Sequence, residues 1–187
     1  MKKLIGALVG GIIVFAWQAA SWMFLGVHEN DYKHHPEQAQ ILQSLSAVIK
    51  EDGMYMLPSA PKDATAEEHQ KVMKEAQGKP MASIMYLGSY STNMVPTMIH
   101  GLVVDIVLVF LLIYLLTING TPGRYRIIAG SIAAGLFSWL WEPYMGRVWF
   151  QLPSSWVLSH LIDAIAAWAL CGLWLNWWLT RKRSATA

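Results

Sequence analysis

Four long apolar stretches run along the chain, and one extended polar block separates the first stretch from the second. The first stretch covers residues 4–27, and the other three, all within 94–180, cover about 95–117, 127–149 and 155–179. Each has close to the ~20 apolar residues that an α-helix needs to cross a bilayer. The pattern predicts an all-α transmembrane protein, a four-helix membrane bundle in which 4–27 is transmembrane helix 1.

The first stretch differs from a secretory signal peptide, although Lys2 and Lys3 give it a basic start. Signal peptides have an apolar core of about 7–15 residues followed by a small-residue cleavage site. Here the apolar run continues through Trp22 and Phe24, past the small residues that end at Ser21. We therefore expect a retained membrane helix.

The polar block, residues 28–93, carries its own structural signals. Residues 36–53 have apolar positions at helical spacing. Thr65 and Glu68 have the spacing of a capping box, which predicts that a helix begins there. Residues 53–58 and 81–88 have the character of short strands that could pair. We predict a small α+β exoplasmic cap between spans 1 and 2.

Charge is distributed unevenly around the apolar stretches. The short flanks on one side carry seven basic residues and no acidic one, namely Lys2, Lys3, Arg124, Arg126, Arg181, Lys182 and Arg183. Block 28–93 holds six lysines and nine acidic residues, a net charge of −3. Because basic flanks stay on the cytoplasmic side, both termini are predicted to be cytoplasmic and residues 28–93 periplasmic.

Composition supports the membrane class and limits the partners. The chain of 187 residues is 55% hydrophobic and 14% charged, whereas soluble domains are about 25% charged. Basic residues do not gather on one polar face, so no nucleic-acid partner is expected. Cys171 is the single cysteine, which excludes an intrachain disulfide. The expected partners are the lipid bilayer and either other membrane proteins or further copies of the chain.

Ionisable residues lie within the apolar stretches, in what would be the outer leaflet. At about 1.5 Å per residue they lie roughly 7–15 Å below the outer surface. An unpaired acid at mid-membrane costs on the order of 2.5–3.5 kcal/mol, so we expect the groups to converge. This predicted polar layer consists of His100, Asp105, Glu142, His160 and Asp163, with His28 and Arg147 at its rim.

Three roles for the layer stay open. It can pair helices, bind a transition metal or haem through His100, His160 and Asp163, or carry protons. We predict no catalytic residues, because no Ser or Cys lies in a recognisable nucleophile motif. The leading expectation is a non-enzymatic accessory, assembly or scaffold protein. A metal- or haem-binding membrane protein is the alternative, and a small proton-coupled transporter component is the second alternative.

Residues 1–28 combine a basic start, the run Leu8–Gly11, the pair Phe15 and Trp17, the pair Ser21-Trp22, and His28 at the end of the stretch. This combination resembles an uncharacterised family of small four-span bacterial inner-membrane proteins. The resemblance implies a location in the bacterial cytoplasmic membrane. It brings no catalytic residues with it.

Overall fold

The protein is mostly helical, and the computed structural model describes residues 1–120 and 122–181. The described chain forms two compact units, a helical unit (residues 1–33 and 93–181) and an inserted unit (residues 34–92). The helices are α1 (Lys2–Met23), α2 (Gln38–Val48), α3 (Ala66–Ala76), α4 (Val95–Thr117), α5 (Arg124–Trp139), α6 (Met145–Phe150) and α7 (Ser154–Thr180), and the strands are β1 (Gly53–Leu57) and β2 (Ala82–Tyr86).

Three of these helices are long and apolar enough to cross a membrane. They are α1 with 22 residues, α4 with 23 and α7 with 27, and their mean hydropathies are 1.8, 2.6 and 1.6. Their positions agree with the first, second and fourth predicted spans. Three membrane-compatible helices are therefore established.

The predicted third span, 127–149, is helical but not one continuous α-helix. Helix α5 ends at Trp139, a π-helical turn covers Leu140–Tyr144, and α6 follows. Pro143 lies inside the turn. Proline lacks a backbone N–H and clashes with the preceding helical turn, and a π-helical turn accommodates such an interruption. The four-span bundle stays a prediction, because this segment does not form one long apolar helix.

Close contacts between backbones define the order of the helices. Helix α1 packs against both α4 and α7, and α7 also packs against α5. A Cβ atom added at Gly11 would lie 2.7 Å from the Cα of Ile106 on α4. One added at Gly135 would lie 2.5 Å from the carbonyl oxygen of Ala164 on α7. Gly135 of α5 therefore lies directly against the backbone of α7.

The beginning of α1 and the end of α7 lie at the same end of the helical unit. Lys2 Nζ donates hydrogen bonds to the carbonyl oxygens of Leu179 and Arg181, both at 3.0 Å. Trp178 Nε1 donates to the carbonyl oxygen of Lys2 at 2.7 Å. Lys182 and Arg183, the other members of the predicted C-terminal basic group, lie outside the described residues.

The inserted unit contains the predicted two helices and two-stranded ribbon. Strands β1 and β2 pair antiparallel, from Gly53 opposite Tyr86 to Leu57 opposite Ala82. Helix α3 begins with the predicted capping box: Thr65 Oγ1 accepts from the backbone N–H of Glu68, whose carboxylate accepts from the backbone N–H of Thr65.

Candidate functional site

A tight turn after α1 folds the chain back over the end of the helix. Helix α1 ends at Met23, and Gly26 has φ +64°, a left-handed conformation that glycine adopts without a steric penalty. The backbone N–H of Glu29 then donates to the carbonyl oxygen of Gly26, and that of Asp31 donates to the carbonyl oxygen of His28. This turn brings His28 and Asp31 against α7.

His28 lies between two carboxylates and is only 6% exposed. Its Nδ1 is 2.7 Å from Oδ2 of Asp31, and its Nε2 is 2.8 Å from Oδ2 of Asp163. An ionised carboxylate can only accept hydrogen bonds. When both acids are ionised, His28 must therefore carry a proton on each ring nitrogen, and the three groups together have one net negative charge.

Both oxygens of Asp163 have hydrogen-bond partners, on α1 and in the turn that follows it. Its Oδ1 accepts from Nε1 of Trp17 at 2.9 Å and from Oγ of Ser21 at 2.5 Å. Its Oδ2 is bonded to His28. This carboxylate therefore links α7 to α1 and holds the imidazole of His28 in one orientation.

Asp31 is only half satisfied. Its Oδ2 pairs with His28 and also accepts from Oγ of Ser159 at 2.7 Å. Its Oδ1 is buried and has no hydrogen-bond partner among the described residues, and the side chain is 1% exposed. A buried carboxylate oxygen without a donor or cation is energetically costly. Oδ1 of Asp31 is therefore the atom of this cluster that needs a further partner.

His160 completes the cluster from α7. Its ring centroid is 5.2 Å from that of His28, with the two planes at 85°. Nδ1 of His160 is 2.7 Å from the carbonyl oxygen of Trp156. A ring nitrogen that donates to a carbonyl fixes the tautomer in which the other nitrogen, here Nε2, carries the lone pair. His160 is therefore arranged to act as a ligand through Nε2.

His28, Asp31 and His160 each offer one ligand atom, and these three atoms lie within 4.8 Å of one another. Tetrahedral ligands about 2.1 Å from a metal ion stand about 3.4 Å apart. Bringing separations of up to 4.8 Å to this value requires shifts on the order of 1 Å per side chain. We call these three residues the metal-ligand cluster.

Aromatic rings border the cluster. The ring of Trp22 stacks on His28, with centroids 3.8 Å apart and planes at 8°. The ring of Trp156 stacks on His160 at 4.2 Å, and Tyr32 contacts Trp156 edge-on at 5.8 Å. Indole faces are electron-rich and attract cations. These rings shield the cluster from solvent and favour positive charge within it.

The structure separates the predicted polar layer into two groups. It brings His28, His160 and Asp163 together, and it leaves His100, Asp105, Glu142 and Arg147 out of the cluster. His100 and Glu142 are exposed and have no hydrogen bond or ion pair within the part of the chain described here, and Arg147 donates to the carbonyl oxygen of Leu152. His100, one of the three predicted metal ligands, therefore does not join His160 and Asp163.

The position of Asp105 explains why His100 lies outside. Asp105 is 3% exposed, and its Oδ1 is 3.4 Å from Nε2 of Gln18 on α1. Two residues five positions apart on a helix point about 140° away from each other. Because Asp105 faces the interior, His100 faces outward. Oδ2 of Asp105 also has no hydrogen-bond partner among the described residues, but Asp105 is not one of the residues that cluster with His28 and His160.

Asp31 was not among the sequence-predicted site residues. In the sequence Asp31 is one of the nine acidic residues of the polar block, and the pattern does not show how the chain turns after α1. One signal could have identified it, namely the His28-x-x-Asp31 spacing two residues after Gly26.

Comparison of the chain with protein-family models, curated proteins and solved structures found no match. The resemblance of residues 1–28 to a family of inner-membrane proteins therefore stays a prediction.

Proposed function

We propose that this chain is an integral membrane protein that binds one divalent transition-metal ion through His28, Asp31 and His160. The observation that carries the proposal is that Asp31, whose Oδ1 is buried and unpartnered among the described residues, belongs to a cluster with two imidazoles. A cation there would satisfy this oxygen and balance the negative charge of the carboxylates.

The donor set suits a metal ion of intermediate softness, between the hard and the soft ions. Imidazole nitrogens with a carboxylate oxygen bind zinc, copper, iron or nickel more readily than calcium or magnesium, which prefer oxygen ligands alone. To become a ligand, His28 would release the proton on Nδ1, while its Nε2–H continued to donate to Asp163. Such a carboxylate behind a metal-bound imidazole orients the ring and makes it more basic. Asp163 would thus be a positioning residue.

Three protein ligands would leave one position of a tetrahedral ion for water or a small molecule. The aromatic rings of Trp22 and Trp156 would limit access to that position. This arrangement suits binding, sensing or delivery of a metal by the protein. No nucleophile or base beyond the cluster is needed for such a role.

The membrane arrangement that we propose is the four-span bundle, with the segment 124–150 as the third span. Two observations support an orientation with both termini in the cytoplasm of a bacterium. Lys2 and Arg181 are together at one end of the helical unit, and the metal-ligand cluster lies where α1 ends and α7 begins. Basic residues favour the cytoplasmic side, so the cluster would lie toward the periplasm.

An accessory or assembly role is the competing proposal, and one observation favours it. Both nitrogens of His28 already have carboxylate partners at 2.7 and 2.8 Å. Without a metal, these bonds still fasten the turn after α1 to α7. In that case the cluster is a structural link, and the function depends on other membrane proteins that the chain binds.

Metal content distinguishes the two proposals. The protein would be purified in detergent without chelators and without metal-affinity chromatography. Its metal content would be measured by elemental analysis before and after titration with Zn²⁺. We expect about one ion per chain, and its loss in His160→Ala. His160 is the best position to test because its removal leaves both bonds of His28 in place.

The matched control is His69→Ala, since His69 is an exposed histidine on α3 in the inserted unit. This variant is expected to keep the ion. Wild-type protein that takes up no metal on titration, or His160→Ala protein that keeps it, would refute the metal proposal. Copurification of metal-free protein with one defined membrane complex would support the accessory role instead.

A further inference from the structure

We propose that the inserted unit carries a second and chemically different site, in which the thioethers of Met54, Met56 and Met85 bind a single Cu(I) ion. This site goes beyond the proposed function and does not depend on it. It lies in the other unit of the chain and uses soft sulfur ligands instead of imidazole and carboxylate.

The strand register brings the three methionines to one face. Met54 on β1 lies directly opposite Met85 on β2. Side chains alternate between the two faces of a strand, so Met56 is on the same face as Met54. Opposite residues have Cβ atoms about 4.5–5.5 Å apart, and diagonal neighbours such as Met56 and Met85 lie roughly 7–8 Å apart. Each methionine has three rotatable side-chain bonds, which is enough to bring three sulfur atoms to one ion.

Core packing does not account for these methionines. The other face of the ribbon, with Tyr55, Ile84 and Tyr86, is the half-buried one. On the methionine face Met54 is 83% exposed and Met85 is 74% exposed, while Met56 is partly covered and still 39% exposed. An antiparallel ribbon with one covered face normally carries polar residues on the other. Here the four strand positions of the open face are occupied by three methionines and one serine, as follows: Met54, Met56, Met85 and Ser83.

The chemistry of thioethers selects the ion. A thioether is a soft and uncharged ligand that prefers Cu(I) over Zn²⁺ or other harder divalent ions. It also carries no proton to be displaced. Cu(I) binding to this face should therefore be nearly independent of pH, whereas binding to imidazoles and carboxylates weakens as these groups are protonated. This difference in pH dependence separates the two sites experimentally.

The test is a titration of the full chain in detergent micelles with Cu(I), under anaerobic and reducing conditions, in competition with a chromogenic Cu(I) chelator. At pH 5 we expect one equivalent of Cu(I) to be bound. The triple variant M54L/M56L/M85L is expected to lose this equivalent, because leucine keeps the volume of the side chain but has no sulfur. X-ray absorption of the bound protein is expected to show sulfur as the main neighbour of copper.

Two controls make the result specific. Met73→Leu changes a methionine of α3 that is 71% exposed, and it should keep the Cu(I) equivalent. His160→Ala should keep it as well, so a failure of the first metal site leaves this test intact. Cys171, the single thiol of the chain, is fully buried in the helical unit.

Either of two results would overturn the proposal. One is wild-type protein that does not compete with the chelator at pH 5. The other is a triple variant that binds Cu(I) as well as wild type while its far-ultraviolet circular dichroism is unchanged. Loss of binding to a membrane or protein partner in the triple variant, without Cu(I) binding by wild type, would identify the face as a docking surface and also overturn the proposal.

Discussion

Gly11 lies directly against the backbone of α4, and replacing it with alanine tests the α1–α4 contact. The added Cβ would be 2.6 Å from Cγ1 of Ile106 and 2.7 Å from its backbone N and Cα. Non-bonded carbon atoms are most favourably placed about 3.5–4.0 Å apart. Two of the three atoms belong to the backbone and cannot rotate away. The helices must therefore separate locally by about 1 Å.

Gly101→Ala is the matched control on the facing helix. A Cβ at Gly101 would be 3.8 Å from Cε2 of Phe15, which is an ordinary contact. Both substitutions replace a helical glycine with alanine and so gain the same intrinsic helix preference, about 0.8–1 kcal/mol. This gain cancels when the two variants are compared with each other. Their difference in stability isolates the steric effect at Ile106.

Overpacking of this kind typically costs about 1–3 kcal/mol. We therefore expect Gly11→Ala to be less stable than Gly101→Ala by about 1–3 kcal/mol. Relative to wild type, Gly101→Ala should be neutral or slightly stabilised, since its added methyl meets no close atom. Gly11→Ala should be neutral to clearly destabilised, because the steric cost opposes the gain in helix preference.

The assay is reversible unfolding in mixed micelles as the mole fraction of sodium dodecyl sulfate rises, followed by far-ultraviolet circular dichroism. The result is the free energy of unfolding of each variant under the same conditions. Equal stabilities of Gly11→Ala and Gly101→Ala would refute the reasoning. That outcome would mean that α1 and α4 do not approach each other at Gly11 as closely as described.

Three further predictions follow from the polar contacts. Asp163→Asn should lower the free energy of unfolding by about 1.5–3 kcal/mol, because it removes the charge that His28 is bonded to. The control Asp105→Asn alters one long 3.4 Å contact and should lower the free energy of unfolding by less. Equal losses in the two variants would refute the role of Asp163 as the bonded partner of His28. Thr65→Ala should shorten α3 and raise the pKa of the Glu68 carboxyl, which the hydrogen bonds from Thr65 now hold below its ordinary value. The depressed pKa of Glu68 stabilises the folded inserted unit at pH values above the ordinary carboxyl pKa, and this stabilisation is lost as pH falls through the lower pKa of the folded state. Carboxyl chemical shifts of wild type and variant across a pH titration measure the pKa of Glu68. An unchanged Glu68 pKa in the variant would contradict the prediction. The Zn²⁺ affinity of the metal-ligand cluster should rise with pH, because binding displaces protons. Calorimetry in two buffers of different ionisation enthalpy measures the number of protons released. Zn²⁺ binding without proton release would contradict this prediction.

Much of the helical arrangement is readable from hydropathy. The ends of α1, α4 and α7 agree with the predicted spans within a few residues, because length and apolar content alone decide whether a helix can cross a bilayer. The local structure around Pro143 is harder to predict from the sequence. A proline inside an apolar run predicts a distortion, but whether the chain kinks, breaks or forms a π-helical turn depends on what packs against it.

The site was only partly predictable, for a geometric reason. His160 and Asp163 are three residues apart, so their common face on α7 follows from helix periodicity. Depth in the membrane predicts less well which residues meet, because residues in the same leaflet can face opposite directions, as His100 and Asp105 do. Asp31 depended on the left-handed turn at Gly26, and a turn of that kind directs a side chain toward a site without leaving a periodic pattern.

One turn of α1 explains which carboxylate of the helical unit is available to an ion. Trp17 and Ser21 donate to Asp163 on α7, whereas Gln18, about 100° further around α1, is directed to Asp105 on α4. Trp17 and Ser21 occupy Oδ1 of Asp163 and His28 occupies Oδ2, so this carboxylate has partners at both oxygens and is fixed as a support for His28. Asp105 and Asp31 each keep one buried oxygen without a partner among the described residues. Of these two, Asp31 belongs to a cluster with two imidazoles, and a metal needs several ligands at once, so Asp31 is the carboxylate that can complete a metal site.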